Sequence, residues 1–397
     1  MDRRLPALGW TVITVSEYQY YEFTAIDRPL TIREQSELRS LSTRADITAT
    51  SLVNTYEWGN FKGDPRKLME RYFDAHLYLA NWGTRTLMLR LPKRVLDPAV
   101  VADYCVGDSA SAWTSGKNVI IHLNREDEEG TDEWDIDGQG LLASVIPVRA
   151  SLAAGDLRLL YIAWLRCVQS LEVTDDEPEP PVPAGLSTFD ASLTAVAEFL
   201  CIDRDLIAAA AAGSPPATTD EPTAARLRAW VLRLPTQEKD AILSDLITGA
   251  DPHLRNQLLR RYREAHSTAA STTTDPRTAG ELLATAADVR AERERRDAEQ
   301  REREHARRER SAAEARQHHL DTIAVDQPAA WQQVDDLIAT KKPREYDTAM
   351  QLLVDLRDLG ERDGNTASFR RRLAELRTTH ARKPSLLERL ELADLDI

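Results

Sequence analysis

Residues 61–91, FKGDPRKLMERYFDAHLYLANWGTRTLMLRL, decide the fold of the N-terminal half of this chain. Asp64 can cap a helix, and Pro65 suits the first helical position, where a missing N–H costs nothing. The apolar residues that follow recur at helical spacing and predict a helix that continues to a stop signal at Asn81-Trp82-Gly83. Residues 86–91 are short and apolar enough to be a strand. The stretch therefore specifies a hydrophobic core without indicating a chemistry.

The bulk properties of the chain restrict its class. Its 397 residues are enough for two or three domains, and 42% hydrophobic residues is ordinary for a soluble protein. The net charge of −14 gives no overall attraction to nucleic acid or anionic lipid, although it leaves room for a local basic face. Cys105, Cys167 and Cys201 form no CxxC or CxC pair, so we predict free thiols in a reducing cytosol.

No targeting or membrane segment is predicted. No apolar run reaches the ~18–20 residues that a membrane helix needs. Residues 1–16 contain Pro6 and Gly9 and lack a small-x-small cleavage site, so they predict a disordered leader or a first strand. The sequence therefore predicts a cytoplasmic protein without a membrane partner.

Strand and helix patterns alternate in the N-terminal part and predict an α+β domain over residues 17–138. Aromatic and β-branched residues at 18–26 and an apolar run at 117–123 indicate strands. Thr31 and Glu34 form a capping box at the start of a helix. A ferredoxin-like arrangement is one alternative, but a single sequence does not reveal the strand order.

Beyond this domain the patterns are helical. The predicted fold class is α+β, with a mixed α/β N-terminal domain followed by mostly α-helical modules and a long charged helix. The predicted parts are a helical extension (139–172), an acidic, proline-rich linker (173–185), a helical domain (186–266), a linker (267–278), a charged helix (279–320) and a C-terminal helical module (328–397). In the helical domain, we expect Trp230, Leu243, Leu246, Leu258 and Leu259 to be core residues.

The charged helix contains mainly Arg, Glu and Ala. Acid-before-base pairs at i,i+4 spacing, such as Glu292 with Arg296, stabilise such a helix. A strong coiled coil requires apolar a and d positions, whereas Glu294, Arg301 and Arg308 occupy the d positions here. The pattern therefore favours a solvated single helix, or a weak partner in an alanine-seamed hairpin.

The sequence contains no recognisable catalytic, cofactor-binding or metal-binding motif. Residues 133–138, EWDIDG, are similar to the start of an EF-hand, but Ser144 stands where a bidentate Glu is required. Residues 107–118 contain glycines and Lys117, but their spacing is not that of a P-loop. His76 lies in an apolar pattern and is interpreted as a core histidine. We therefore predict no catalytic residue, no cofactor and no metal.

Two basic stretches could form an interaction surface. The first lies close to Trp58 and Phe61, and basic residues beside aromatic ones can hold single-stranded nucleic acid. Acidic residues are interleaved in both stretches, so a solvated helix face is the simpler interpretation. The predicted surface residues are Lys62, Arg66, Lys67 and Arg71 in the first stretch, and Arg370, Arg371 and Arg372 in the second.

The C-terminal module resembles the helical C-terminal segment of bacterial SWIM-type zinc-finger proteins. The similarity lies in the patterns Trp331-x2-Val334-x2-Leu337-Ile338, Tyr346-Asp347-x-Ala349-x2-Leu352-Leu353, Phe369-x3-Leu373-x2-Leu376 and Lys383-Pro384-x-Leu386-Leu387, with Leu234-Pro235-x2-Glu238-Lys239-Asp240 further upstream. The CxC…CxH signature that defines the family is absent, so neither zinc nor the DNA association of SWIM domains is carried over. The use of Ala, Arg and Asp throughout the chain resembles that of proteins from high-GC bacteria and implies no activity.

Linkers, a spacer helix and helical modules without a catalytic set predict an interaction or scaffold component of a bacterial multi-protein assembly. Its expected partners are other proteins of the same system. One alternative is a nucleic-acid-associated accessory factor that uses the basic stretches. Another is an enzyme with an unrecognised site in the N-terminal domain, near Asp64, His76 and the acidic loop at 125–140.

Overall fold

A computed structural model describes residues 18–126, 137–216, 223–249, 251, 253–266 and 276–395. These residues confirm the α+β class, with an antiparallel sheet in the N-terminal part and helices in the remainder. The predicted leader at 1–16, most of the acidic loop and most of the 267–278 linker lie outside the described residues. The chain divides into two compact units, Met1–Glu292 and Arg293–Ile397. The finer domain boundaries read from the sequence stay predictions.

The first unit is built on a seven-stranded sheet. Its strands are β1 (Gln19–Thr24), β2 (Asp46–Ile47), β3 (Ser51–Tyr56), β4 (Ala75–Ala80), β5 (Arg85–Pro92), β6 (Ala110–Ser115) and β7 (Asn118–Arg125). Their order is β2-β3-β1-β4-β5-β7-β6, and all neighbouring strands are antiparallel. This seven-stranded arrangement differs from the ferredoxin-like alternative, in which strands and helices follow one another along the chain as β-α-β-β-α-β. The edges of the sheet are β2 and β6.

Helices accompany the sheet and follow it along the chain. Those that lie wholly in the first unit are α1 (Ile32–Leu41), α2 (Pro65–Arg71), α3 (Pro98–Ala102), α4 (Leu141–Val145), α5 (Pro147–Ala153), α6 (Arg158–Gln169), α7 (Ala191–Phe199), α8 (Arg204–Ala212), α9 (Ala224–Arg233), α10 (Thr236–Thr248) and α11 (Leu254–His266). The long helix α12 (Ala279–Val325) begins in this unit. The capping box of α1 is present as predicted, with reciprocal hydrogen bonds between Thr31 and Glu34.

Both faces of the sheet are buried under helices. On one face the core contains Trp164 and Tyr161 of α6, together with side chains from α4, α5, α7, α8 and the start of α12. On the other face α1 and α2 bury Leu38 and Met69 against Phe23 of β1. Because each side of the central strands meets a helix layer, those strands carry apolar residues on both faces.

The prediction of one long helix in residues 61–91 is wrong beyond Arg71. Asp64 does cap α2, since its Oδ1 accepts hydrogen bonds from the backbone N–H groups of Arg66 at 3.0 Å and Lys67 at 3.3 Å. The following apolar residues instead form β4, in which every residue except Tyr78 is buried. A short strand that is apolar on both faces cannot be distinguished from a buried helix by periodicity. The predicted stop signal is the β4–β5 turn, where Gly83 adopts a φ of 95°.

No strand was predicted at the position of β6, because residues 107–118 were compared only with a nucleotide-binding P-loop. They form most of a β-hairpin in which β6 pairs with β7 across a two-residue turn, Gly116-Lys117. Gly116 has a φ of 55°, the left-handed value that such hairpin turns require. A glycine that precedes a clear strand by two residues is the local signal that could have revealed this hairpin.

The second unit is helical. It contains α12 from Arg293 onward and the helices α13 (Gln327–Ala339), α14 (Pro343–Arg362), α15 (Thr366–Thr379) and α16 (Pro384–Leu392). Trp331, Leu353, Leu356 and Leu373 belong to its core. The middle of α12 is largely exposed over residues 293–315, which confirms the long charged helix. Among the described residues, no helix combines the length and the hydrophobicity needed to cross a bilayer.

Candidate interaction surfaces

The helix α10 places apolar side chains on the outside of the first unit. Leu243 is 55% exposed, Leu246 is 66% exposed and Ile247 is 76% exposed, so the prediction that both leucines are core residues is wrong. Trp230 is buried as expected, with its ring 5.8 Å from the ring of Tyr262. The Trp230–Tyr262 contact thus forms a small core between α9 and α11, while no residue of α10 is buried.

These three side chains form one stripe, which we call the α10 surface (Leu243, Leu246 and Ile247). Residues at i, i+3 and i+4 share a face of a helix. The Nζ of Lys239 donates a hydrogen bond to the Leu232 carbonyl oxygen at 3.0 Å, which holds the end of α9 beside the start of α10. Leu232 is itself 70% exposed. Leu232, at the end of α9, is therefore a further exposed apolar side chain close to the start of α10.

Ion pairing attaches the helix α10 to the rest of the unit. Glu238 forms a salt bridge with Arg261 of α11. On an ideal helix Glu238 lies about 140° from Leu243 and about 80° from Leu246 around the axis, so this contact involves a different side of α10 from Leu243. Burial of a leucine or isoleucine side chain stabilises a contact by about 1.5–3 kcal/mol. The α10 surface is consequently suited to binding an apolar face of another molecule.

The first predicted basic stretch lies at α2, where all four of its cations are exposed. The guanidinium carbon of Arg66 lies 4.0 Å from the centre of the Trp113 ring on β6. The Trp113 Nε1 donates a hydrogen bond to the Glu70 Oε1 at 2.9 Å. The structure therefore places Arg66 at the edge strand β6, whereas Lys62, Lys67 and Arg71 are exposed at α2 without a contact to β6 among those described. Trp113 was not among the predicted site residues, since β6 itself was missed.

The second predicted basic stretch lies on α15 in the other unit. Arg370, Arg371 and Arg372 are exposed. The guanidinium carbon of Arg372 lies 5.3 Å from the centre of the Trp331 ring, so this arginine covers part of the unit's aromatic core. Of the three, Arg370 and Arg371 have no such aromatic contact among the described residues.

His76 and Asp64, the residues suggested for an enzyme site, each have a structural contact. His76 is buried in β4, its Nδ1 lies 2.9 Å from the Glu22 carbonyl oxygen, and its ring stacks on Phe23 with centroids 3.9 Å apart. Burial lowers the pKa of His76 to about 3, so the imidazole stays neutral. Asp64 caps α2. The acidic loop of the same hypothesis lies largely outside the described residues.

A buried ionic cluster was not anticipated from the sequence. Asp74, which is 1% exposed, accepts hydrogen bonds on Oδ1 from the Arg90 Nη2 at 2.8 Å and on Oδ2 from the Ile26 N–H at 2.7 Å. Arg149 donates to both carboxylate oxygens of Asp27, at 2.9 Å and 2.8 Å. These residues are distant in sequence, so no local pattern signals their contact.

His253 completes the cluster, with its Nε2 3.0 Å from the Asp27 Oδ1. Burial on its own would raise the pKa of the Asp27 carboxyl, but hydrogen bonds from His253 and Arg149 outweigh it and lower that pKa far below its usual value. Arg90 also donates to the Met69 and Glu70 carbonyl oxygens at the end of α2, at 3.0 Å and 3.2 Å. The cluster thus connects the sheet to α2, to α5 and to the chain that leads into α11.

Metal or thiol chemistry gains no support from the described residues. No group of three or more His, Cys, Asp or Glu side chains in the described ranges is arranged to hold a metal ion. Burial raises the pKa of the Cys105 and Cys167 thiols to about 12, which keeps both protonated and unreactive near neutral pH.

Comparison with known proteins found no matching family model, no matching curated protein and no matching solved structure. The resemblance of the C-terminal helices to SWIM-type proteins therefore stays a prediction.

Proposed function

We propose that this protein is a cytoplasmic interaction or scaffold component of a bacterial multi-protein assembly, and that it binds a partner protein through the α10 surface. The observation that carries the proposal is the exposure of Leu243, Leu246 and Ile247 on one helix face. Proteins seldom leave contiguous apolar side chains in water unless another molecule covers them. The largely exposed middle of α12, residues 293–315, supports the same role, since a solvated helical stretch of this kind is expected of a spacer.

The partner contact that fits this surface is an amphipathic helix or a similar apolar face. Side chains at i, i+3 and i+4 are the anchors that helix-to-helix recognition uses. Polar residues beside the stripe, Lys239 and Asp240, would lie at the rim of such an interface, where charges contribute to specificity more than to affinity.

The double substitution of Leu243→Glu and Leu246→Glu is expected to abolish partner binding without unfolding the protein. Each leucine is an anchor worth about 2 kcal/mol, so the two losses together weaken binding by roughly a thousandfold. Because both side chains are exposed, we expect the thermal midpoint to change little. The measurement is site-specific photo-crosslinking from position 247 in the native cell, followed by mass spectrometry of the captured partner.

A matched control carries the same two added charges on the opposite side of the helix. Gln237 and Ala241 are exposed and lie away from the stripe, so Gln237→Glu with Ala241→Glu should retain the crosslink. Equal capture by the leucine variant and the wild type would contradict the proposal. Loss of near-ultraviolet circular dichroism in the leucine variant would contradict it as well, since it would place these residues in a core.

The alternative of a nucleic-acid accessory factor rests on Arg66 beside Trp113 and on the other exposed cations at α2. Its signature is binding of single-stranded oligonucleotides that weakens steeply with salt. Such binding would not depend on Leu243 or Leu246, so the leucine variant separates the two roles. The enzyme alternative receives no support from Asp64 or His76, because both side chains are engaged in structural contacts.

A further inference from the structure

The two edge strands of the sheet differ in length and in charge. The edge strand β2 has only two residues and begins with Asp46, and short strands with charges are the usual protection of a sheet edge. The opposite edge strand, β6, has six residues, ASAWTS, without a charged residue or a proline. It lacks the features that normally prevent another chain from pairing with it.

The hairpin turn determines which backbone groups of β6 point outward. A two-residue turn at Gly116-Lys117 makes Ser115 and Asn118 the first hydrogen-bonded pair of the hairpin. Every second residue of β6, counted back from Ser115, then exchanges backbone hydrogen bonds with β7. The hydrogen bond from the Asn124 N–H to the Ser109 carbonyl oxygen, at 2.8 Å, fits this pattern. The N–H and C=O groups of Ala112 and Thr114 are consequently directed away from the sheet.

These outward groups are open. Ala112 and Thr114 are exposed, and within the described ranges no residue outside β7 forms a hydrogen bond with their backbone. The edge is closed only at its start, where the Gly107 N–H donates to the Ala110 carbonyl oxygen at 3.1 Å. Ala112 and Thr114 also have small side chains that would not obstruct a neighbouring strand.

The charge beside this edge indicates which strand would fit. Arg66 lies over Trp113 with 60% of its side chain exposed. Lys117 is exposed in the hairpin turn. Of the acidic residues at α2, Glu70 accepts the Trp113 Nε1–H and lies 4.0 Å from the Arg66 Nε, and Asp64 pairs with Lys67 at 3.5 Å. A segment that pairs with β6 would therefore place its side chains beside Arg66 on the α2 side and close to Lys117 at the hairpin turn.

We propose that β6 accepts an extended, acidic segment of a partner protein as an eighth strand. The backbone groups of Ala112 and Thr114 supply the pairing, Arg66 attracts carboxylates on the α2 side of the strand, and Lys117 adds a positive charge at its end. Self-pairing of two copies is less favourable, because a two-fold axis at Trp113 would bring two copies of Arg66 and two basic helices together. This surface is independent of the α10 surface and goes beyond the proposed function.

The test uses the full-length chain and a displayed library of random twelve-residue peptides. Peptides with alternating β-branched and acidic residues should be enriched. Their binding should weaken at least about tenfold in Thr114→Pro, which removes an outward N–H at an edge where proline is tolerated, and should be retained in Thr114→Val. Arg66→Glu should lose the acidic preference.

A measurement on the wild type keeps the test valid if the proline variant does not fold. Peptide binding should slow amide hydrogen exchange at Ala112 and Thr114 more than at Trp113, whose N–H already pairs with β7. Failure to enrich peptides, equal binding to the proline variant, or exchange that slows elsewhere would overturn the proposal. It would also be overturned by dimerisation through β6, or by single-stranded oligonucleotide binding that competes with the peptides and is unaffected by Thr114→Pro.

Discussion

Replacement of Asp74 by alanine is expected to lower the free energy of unfolding of the first unit by about 3–5 kcal/mol, because it leaves the buried Arg90 guanidinium without its counter-ion. Arg90 is 8% exposed, and its Nε and Nη2 donate to the Asp74 Oδ1 at 3.1 Å and 2.8 Å. The same substitution removes the acceptor of the Ile26 and Asp27 N–H groups, at 2.7 Å and 2.9 Å. Unpaired buried groups of this kind carry a full desolvation cost.

Hydrogen exchange of the β4 and β5 amides is the suitable measurement, since it reports on the first unit without requiring the whole chain to unfold in two states. The control is Asp46→Ala, which removes an exposed carboxylate from the edge strand β2 and should change stability by less than about 0.5 kcal/mol. An effect of Asp74→Ala no larger than that of the control would show that the cluster does not stabilise the unit.

The second large effect is a loss of stability of the first unit as the pH falls below about 6.5. His76 titrates near 6.5 when unfolded, but burial lowers its pKa to about 3 in the fold. Between these values the unfolded chain binds a proton that the folded chain does not, so acidification favours unfolding. The expected loss is about 2 kcal/mol by pH 5 and about 4 kcal/mol by pH 3 from this residue.

His76→Phe should remove most of this pH dependence, because phenylalanine can stack on Phe23 and has no proton to bind. A smaller slope should remain from His122, whose pKa is also lowered by burial. The control is the same substitution at His305 on α12, because the His305 side chain is 73% exposed. The measurement is β4 amide exchange from pH 7 to 5, corrected for intrinsic rates. The same slope in His76→Phe and the wild type would contradict the assignment.

Local sequence patterns were reliable where the stabilising contacts are themselves local. The capping box of Thr31 and Glu34, the Asp64 cap of α2 and the charged helix α12 all depend on residues a few positions apart. The four cations at α2 were recognised for the same reason. The position of Arg66 at the edge of the sheet was not predictable, because it depends on Trp113 and on the missed strand β6.

The failures have a common physical cause. Residues 75–80 are apolar on both faces because the helix layers cover both sides of the sheet, and this pattern imitated a helix. Leu243 and Leu246 have the spacing of a buried stripe, yet no part of the described chain covers them. An apolar pattern shows that a face can be buried, but it does not show whether its own chain or another molecule buries it.

The amino-acid sequence by itself determined the α+β class, the starts of α1 and α2, and the long solvated helix, since these depend on composition and on short-range caps and ion pairs. Only the tertiary structure decided that β6 is an open edge, that α10 faces outward, and that Asp27, Asp74, Arg90, Arg149 and His253 meet in one cluster. Such features depend on strand order and on contacts between distant residues. Those contacts exist only once the chain has folded.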